Sequence, residues 1–333
     1  MEPKHCCGVF EGGGVKGIGL VGAVKGIEEE GYKFDNVAGT SAGAIVASLI
    51  AVGYTGDEIK EEMMKLDFQK LQENDALTRF GLVGKSLKFL LKHGIFKADY
   101  LENWLENLYS RKGRTRFRDI IREDAPHERY KYRFQAIASD LSESSMLVLP
   151  RDLRQFGIDP DGFRISKAVR MSMSIPIFYE PFVLTDTDGR KHVIVDGGLL
   201  SNYPLWLLDS KSSQSLCPTL GFCFCSSDSV TSVDPLSVDY KPVTSVVGFT
   251  KAMVRTALDA RDKHYISVAK GDYQRTIAIS PHIIINGKEK TVSTVQFDIT
   301  TDERIALFQN GVKSAKKFCR AWSFDTWKKR HWR

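Results

Sequence analysis

The run Asp35-Asn-Val-Ala-Gly39-Thr40-Ser41-Ala42-Gly43-Ala-Ile-Val-Ala-Ser-Leu49 constrains this chain more than any other. An apolar segment climbs to Gly39-Thr40-Ser41-Ala42-Gly43 and passes without a break into helix formers. A strand must therefore turn sharply into a helix at the serine. Small residues are needed on both sides, because the strained backbone leaves no room for larger ones. Such an elbow lifts a hydroxyl above the edge of a sheet and aims a helix N-terminus at it, which favours negative charge there. A Gly-x-Ser-x-Gly match alone is a common coincidence, so its weight depends on what the chain places around it.

A second glycine turn comes earlier. Residues 6 to 10, Cys-Cys-Gly-Val-Phe, are apolar and run directly into Glu11-Gly12-Gly13-Gly14-Val15-Lys16-Gly17. A helix fits Ile18 to Glu30, with Leu20, Val24 and Ile27 at helical spacing, and it stops at Gly31. Strand, glycine loop and helix N-terminus make an anion site, because backbone N–H groups converge where no side chain blocks them. Gly12, Gly14 and Gly17 also satisfy Gly-x-Gly-x-x-Gly, and Asp35 lies near the distance of a ribose-binding acid. A dinucleotide-binding enzyme is therefore an alternative, although a Rossmann site gives no reason for a serine elbow immediately after Asp35.

From Asp57 to Arg118 the pattern is mostly helical, near Asp57–Gln72, Leu82–Lys92 and Asp99–Ser110. The middle segment sets Leu82, Leu87, Leu90 and Leu91 among Lys85, Lys88, Lys92 and His93. That mixture suits a membrane surface, an active-site cover or an amphipathic helix packed on the core. Tyr132–Ala138 and Met146–Val148 read as strands, Ser166–Ser172 as a short helix, and Val193–Val195 as a buried strand that delivers Asp196-Gly197-Gly198. A strand at Thr219–Cys225, a polar loop at Ser226–Tyr240, a helix near Val243–Val268 and a strand near Thr276–Ile285 follow. The last helix, about Thr301–Trp322, places Ile305, Phe308, Val312, Ala315, Cys319 and Trp322 on one stripe.

This alternation predicts a three-layer α/β/α sandwich around a largely parallel sheet. With no composition break, residues 6–322 read as one domain, its motifs within 7–208, followed by a basic, Trp-rich tail at 323–333. In such sheets the chemistry gathers at the C-terminal ends of strands, where Gly12–Gly14, Ser41 and Asp196 all fall.

At 333 residues and 42% hydrophobic content the chain can bury a large core, which argues against disorder. A net charge of +6 suits an anionic partner such as a phospholipid surface or nucleic acid, or simply an ordinary solvated surface. The six cysteines fit no zinc spacing, no secretory signal precedes Cys6, and no apolar run is long enough to span a bilayer. Reduced thiols in a cytoplasmic protein are expected. Trp322, Trp327 and Trp332 among Lys and Arg suit a membrane interface, and equally local packing.

The glycine loop, the raised serine and the Asp-Gly-Gly acid agree in order and spacing with a known family. The chain resembles the patatin-like phospholipases of bacterial type, whose pattern is a Gly-Gly-Gly-x-(Arg/Lys)-Gly loop, a Gly-x-Ser-x-Gly elbow and an Asp-Gly-(Gly/Ala) acid. Ala138-Ser139-Asp140-Leu141, Arg170-Met-Ser-Met-Ser-Ile-Pro176 and Asn202-Tyr203-Pro204 match secondary features. Lys16 stands where arginine is commoner, keeping the charge but losing the planar fork.

The resemblance implies Ser41 as nucleophile and Asp196 as proton acceptor in a dyad without histidine. It further implies an oxyanion hole around Gly12, Gly13, Gly14 and Lys16, with Gly17, Gly39, Gly43, Gly197 and Gly198 supporting the motifs. The implied activity is phospholipase A-type hydrolysis of membrane phospholipids at a transient membrane surface, with no metal, no cofactor and no nucleic acid polymer as partner. A small-molecule or protein activator, and a role as a regulated effector degrading membranes, are compatible with it. A catalytically silent lipid- or nucleotide-binding regulator is the alternative from another class. A Ser–acid–His triad would draw on His264, His282 or His331, none of which stands where that histidine belongs.

Overall fold

The strands of the computed structural model are, in chain order, β1 (Lys4–Phe10), β2 (Tyr32–Thr40), β3 (Gly94–Phe96), β4 (Phe134–Asp140), β5 (Ser145–Leu149) and β6 (Ile177–Tyr179), then β7 (Phe182–Thr185), β8 (Lys191–Asp196), β9 (Thr219–Phe224), β10 (Thr276–Ile279), β11 (His282–Ile285) and β12 (Lys288–Thr291). The helices are α1 (Gly17–Glu29), α2 (Ala42–Val52), α3 (Gly56–Lys65), α4 (Asp99–Arg111), α5 (Ile165–Ser172), α6 (Thr301–Ala321) and α7 (Phe324–His331). The structure describes residues 4–71, 94–209, 217–225, 271–294 and 296–331. The expected helices Leu82–Lys92 and Val243–Val268, the loop Ser226–Tyr240, His264 and Trp332 lie outside the described residues.

Strands β10, β9, β1, β2 and β4 lie side by side and parallel, so the fold is α/β with a largely parallel central sheet. Both faces of such a sheet are covered, and its strands read as near-continuous apolar runs. Alternate residues of β1 serve the two faces: Cys6 and Phe10 join the core beneath α1, α2 and α6, while Cys7 and Val9 pack under Tyr203, Leu205, Leu207 and Leu208. Phe10 stacks on Phe222 of β9 at 4.5 Å between ring centroids, tying neighbouring strands together.

On the other flank of the sheet the direction changes. Strand β4 pairs β5 antiparallel along Ala136–Asp140 and pairs β8 antiparallel along Ala138–Asp140. Since β5 and β8 share residues of β4, they occupy its opposite edges. Strand β2 already lies on the β8 edge, because Thr40 pairs Ile137, whose other side faces Val148 of β5. Strands β2 and β8 therefore run toward each other along one edge of β4 and meet end to end. Thr40 pairs Ile137 and Asp196 pairs Ala138, successive positions about 3.3 Å apart along the strand. The expectation that all three motifs sit at C-terminal strand ends is met, but Asp196 arrives from the opposite direction to Ser41.

Other segments differ from the sequence reading for local reasons. The helix expected to reach Gln72 ends at Lys65, because Leu66 turns extended and both Leu66 and Phe68 enter the core, a spacing of two that no helix face offers. Its start is firm, with a capping box between Thr55 and Glu58. The strand expected over Thr276–Ile285 breaks at Ser280-Pro281, where proline has no N–H for a ladder; β10 joins the main sheet and β11 pairs β12. In α6 the buried face is Leu307, Phe308, Gly311 and Ala315, and Ile305 is 45% exposed, one position off the expected stripe. Among the described residues no helix is long and apolar enough to cross a membrane.

Candidate active site

The elbow forms as its sequence requires. Ser41 takes φ 54° and ψ −123° between β2 and α2, a backbone state costing a non-glycine residue about 1–3 kcal/mol. The turn is so tight that a Cβ on Gly39 would lie 2.4 Å from the Gly43 carbonyl carbon, and one on Gly43 would lie 2.2 Å from the Phe10 carbonyl oxygen. The Ser41 N–H donates to Ser172 Oγ at 3.0 Å, and its carbonyl accepts from the Ala44 and Ile45 N–H groups of α2.

The glycine loop lies against the elbow. A Cβ on Gly12 would come within 3.2 Å of Ser41 Cβ and 2.2 Å of Asn202 Oδ1. Asn202 clamps this loop: its carbonyl accepts the Gly12 N–H at 2.9 Å, and its Nδ2 donates to the Gly12 carbonyl at 3.2 Å and to Glu11 at 3.3 Å. Glu11 in turn accepts the Phe224 N–H at 2.6 Å, so the loop is also fastened to β9. The Gly12 amide is thus engaged, whereas among the described residues the amides of Gly13 and Gly14 have no acceptor. The Lys16 ammonium lies 4.6 Å from the centre of the Phe224 ring, beside the loop. Gly17 opens α1 against Ala42, and Gly197 packs on the Ile137 carbonyl.

Asp196 is 2% exposed. Its Oδ1 accepts the Gly198 N–H at 2.7 Å, and among the described residues Oδ2 is buried with no partner at hydrogen-bond geometry. Burial drives its pKa up, the Gly198 N–H and the Ser41 hydroxyl pull it back, and it settles at about 7. The Ser41 hydroxyl is thus close enough to favour the ionised carboxyl without a hydrogen bond to Oδ2. Asp196 N–H donates to the Ser174 carbonyl at 2.9 Å. One short segment, Ser172 to Ser174, therefore holds the backbone of both Ser41 and Asp196. Arg170 anchors it from beneath, donating to Ser174 Oγ and, at 2.7 Å, to the Glu180 carbonyl.

Residues 170–176 and 202–204 are legible in the sequence only as family features; their roles as braces emerge from contacts across 131 and 190 positions. A further brace gave a signal only at Asp140. His192 on β8, 4% exposed, joins Asp140 on β4 through Nδ1 at 2.8 Å and approaches Asp186 through Nε2 at 3.4 Å. Burial pulls this imidazole's pKa down, but the two carboxylates outweigh it and the value is raised. Asp140, Glu143 and His192 offer ligand atoms within 4.8 Å of one another. The contacts of His192 to Asp140 and Asp186 clamp β8 and the turn before it onto β4.

The other candidates stand apart from Ser41. Asp35 lies five residues before the end of β2, about 16 Å short of the carboxyl edge, and pairs with His5 at 2.6 Å, which does not suit a ribose-binding acid. His282 bonds Thr291 within the β11–β12 hairpin, and His331 packs at 5.7 Å on Trp327 at the end of α7.

A family model described as patatin-like phospholipase matches residues 8–209. The chain belongs to the patatin-like phospholipase family. It is 35% identical over 319 residues to the uncharacterized protein YqhO of Bacillus subtilis (strain 168), covering 95% of this chain and 99% of that one. It is 25% identical over 214 residues to the probable lipid hydrolase 463L of Invertebrate iridescent virus 6, covering 62% and 64%. The fold is shared with VipD from Legionella pneumophila, at a TM-score of 0.51 and 16% identity over 96% of this chain and 67% of that one. It is shared also with ExoU of Pseudomonas aeruginosa in its complex with SpcU, at a TM-score of 0.50 and 16% identity over 96% of this chain. This patatin-like chain spans only 52% of that ExoU chain. At this coarse level the family makes it a lipid ester hydrolase.

Proposed function

We propose that the protein is a phospholipase A-type acyl hydrolase working through a Ser41–Asp196 dyad. The observation that carries this reading is the buried Asp196 carboxyl, its Oδ2 unpaired and its pKa lifted to about 7, beside the Ser41 elbow. An ordinary carboxylate is too weak a base to activate a hydroxyl; one held near neutrality matches the operating pH.

In the proposed reaction Ser41 Oγ attacks the ester carbonyl of a phospholipid acyl chain and its proton passes to Asp196. The oxyanion is received by the amides of Gly13 and Gly14, each worth about 3–4 kcal/mol in comparable sites. As the intermediate collapses, the C–O bond to the glycerol oxygen breaks and Asp196 returns the proton to that oxygen, releasing lysophospholipid. Water then attacks the acyl-enzyme, again losing its proton to Asp196, and fatty acid leaves as Ser41 is reprotonated. These steps use protein groups and water. The relative named a probable lipid hydrolase supports the same substrate class. Since such substrates reside in bilayers, the carboxyl edge carrying Ser41 would meet a membrane surface transiently.

Fatty-acid release from phosphatidylcholine vesicles is the test, with fluorophosphonate labelling read by mass spectrometry. Wild type should release fatty acid and be labelled at Ser41, while folded Ser41→Ala and Asp196→Asn should do neither at a measurable rate. A serine variant that keeps activity overturns the dyad. Wild type that is inert in both assays returns the chain to the reading of a silent lipid-binding regulator.

A further inference from the structure

A cleft of about 580 Å³ lies away from Ser41, walled by β10 and by helices α6 and α7. Its size is that of a small-molecule site. Helix α6 serves two surfaces. Leu307, Phe308, Gly311 and Ala315 are buried on one side, and Asn310, Lys313, Ser314, Lys317 and Phe318 recur at helical spacing along the cleft. Helix α7 brings Arg330 to the opposite wall. It is pinned there, because Trp327 Nε1 donates to the Gly271 carbonyl at 2.9 Å and the Arg275 guanidinium lies 5.3 Å from the centre of its ring.

The charges in this cleft are unbalanced. Among the described residues Lys313, Lys317 and Arg330 have no ion-pair partner, and none of the residues lining the cleft is acidic. By contrast Lys316, one position from Lys317 but outside the cleft, pairs with Glu29 at 2.7 Å. Lys313 and Lys317 are one helical turn apart, about 6 Å between Cβ atoms, a spacing at which like charges repel. Ser280, Ser314, Ser323 and Thr326 add hydroxyls to the wall, and Phe318 stacked on Trp322 at 5.3 Å gives it an apolar part. Among the described residues the Trp322 N–H is buried and has no acceptor. Two lysines as point charges, an arginine fork and surrounding hydroxyls are the chemistry that receives phosphate oxygens.

We propose that this cleft binds a phosphate-bearing anion through Lys313, Lys317 and Arg330, as a soluble phosphate ester or as the headgroup of an anionic lipid. The site is independent of the dyad, and its test needs no turnover. Calorimetric titration of the full chain with inorganic pyrophosphate gives the soluble arm. Co-sedimentation of Ser41→Ala with vesicles of phosphatidylcholine, with and without phosphatidylglycerol, gives the lipid arm. The doubly substituted Lys313→Gln/Lys317→Gln chain and the Arg330→Gln chain are compared with Lys33→Gln, an exposed cation on β2. All four side chains are exposed, so the substitutions leave the fold intact, which circular dichroism verifies.

Saturable pyrophosphate binding that weakens at least about tenfold in the cleft variants and not in Lys33→Gln supports a soluble ligand. Recruitment by phosphatidylglycerol that is lost in the same variants alone supports a lipid headgroup. If neither probe binds, or if binding responds equally to Lys33→Gln, the proposal is overturned and the cations are ordinary surface charge.

Discussion

Asp196 and Arg275 are buried alike, 2% and 5% exposed, in surroundings that are opposites. Arg275, at the foot of β10, is gripped by two carboxylates: Asp209, at 2.8 Å through Nη2, and Asp272, at 2.6 Å through the same nitrogen. Burial pulls its pKa down, but Asp209 and Asp272 outweigh that and hold it above the usual arginine value. Among the described residues Asp196 has no cation; one amide and the Ser41 hydroxyl are the groups that favour its charge, and burial dominates. A buried charge with partners fixes structure, and one without them is reactive. Ser41, on the Asp196 side, also keeps a positive φ.

Four substitutions sharpen or break this contrast. The largest effect belongs to the unpaired side: Ser41→Ala and Asp196→Asn should each lower kcat/KM for vesicle phospholipid by about 10⁴-fold or more, with the far-UV spectrum unchanged. Next comes the paired side. Arg275→Met strands two carboxylates and should cost about 3–5 kcal/mol in urea unfolding, while the molecules still folded keep the wild-type kcat. A large loss of kcat there would erase the distinction between the regions.

The third effect is a linkage with a definite sign. The folded pKa of Asp196, about 7, lies above its usual 3.8, so the stability its protonated form contributes is full below the lower value and is lost as pH rises through the upper one. Asp196→Asn should therefore melt higher than wild type near about pH 8, by a few kcal/mol, with the gap closing toward about pH 4. The same ionisation sets an acid limb: kcat/KM should fall about tenfold per pH unit below about 7. The smallest effect is that of Ser172→Ala, which leaves the buried Ser41 N–H without its acceptor. About 1–3 kcal/mol of stability and a modest loss of kcat are expected, read by thermal melts and initial rates.

The sequence reading went furthest where chemistry and local backbone coincide. Gly39 to Gly43, Gly12 to Gly14 and Asp196 to Gly198 could be placed because a tight turn admits few residues, and the helices starting at Gly17, Ala42 and Asp99 because apolar spacing is a local property. The failures are tertiary. Nothing near Leu66 announces that it and Phe68 both enter the core. Pro281 was visible in the 276–285 run, but only the pairing of β10 with β9 and of β11 with β12 shows that it separates two sheets. The clamp of His192 on Asp140 spans 52 positions and the bond from Ser41 to Ser172 spans 131; family features mark Asp140, Ser41 and Ser172, but not these contacts.

The head-to-head meeting of β2 and β8 has a consequence for how the protein can be divided. Ser41 and Asp196, the proposed dyad, reach each other on strands of opposite sense, and β8 is joined to β7 by an exposed turn in which Asp186 bonds Arg190 at 3.0 Å through the backbone. A chain nicked in that turn would carry the hydroxyl on one piece and the carboxyl on the other. Each piece alone would be inert, and we predict that activity returns only when the two are mixed and β8 reseats on β4, making hydrolysis a direct reporter of strand docking.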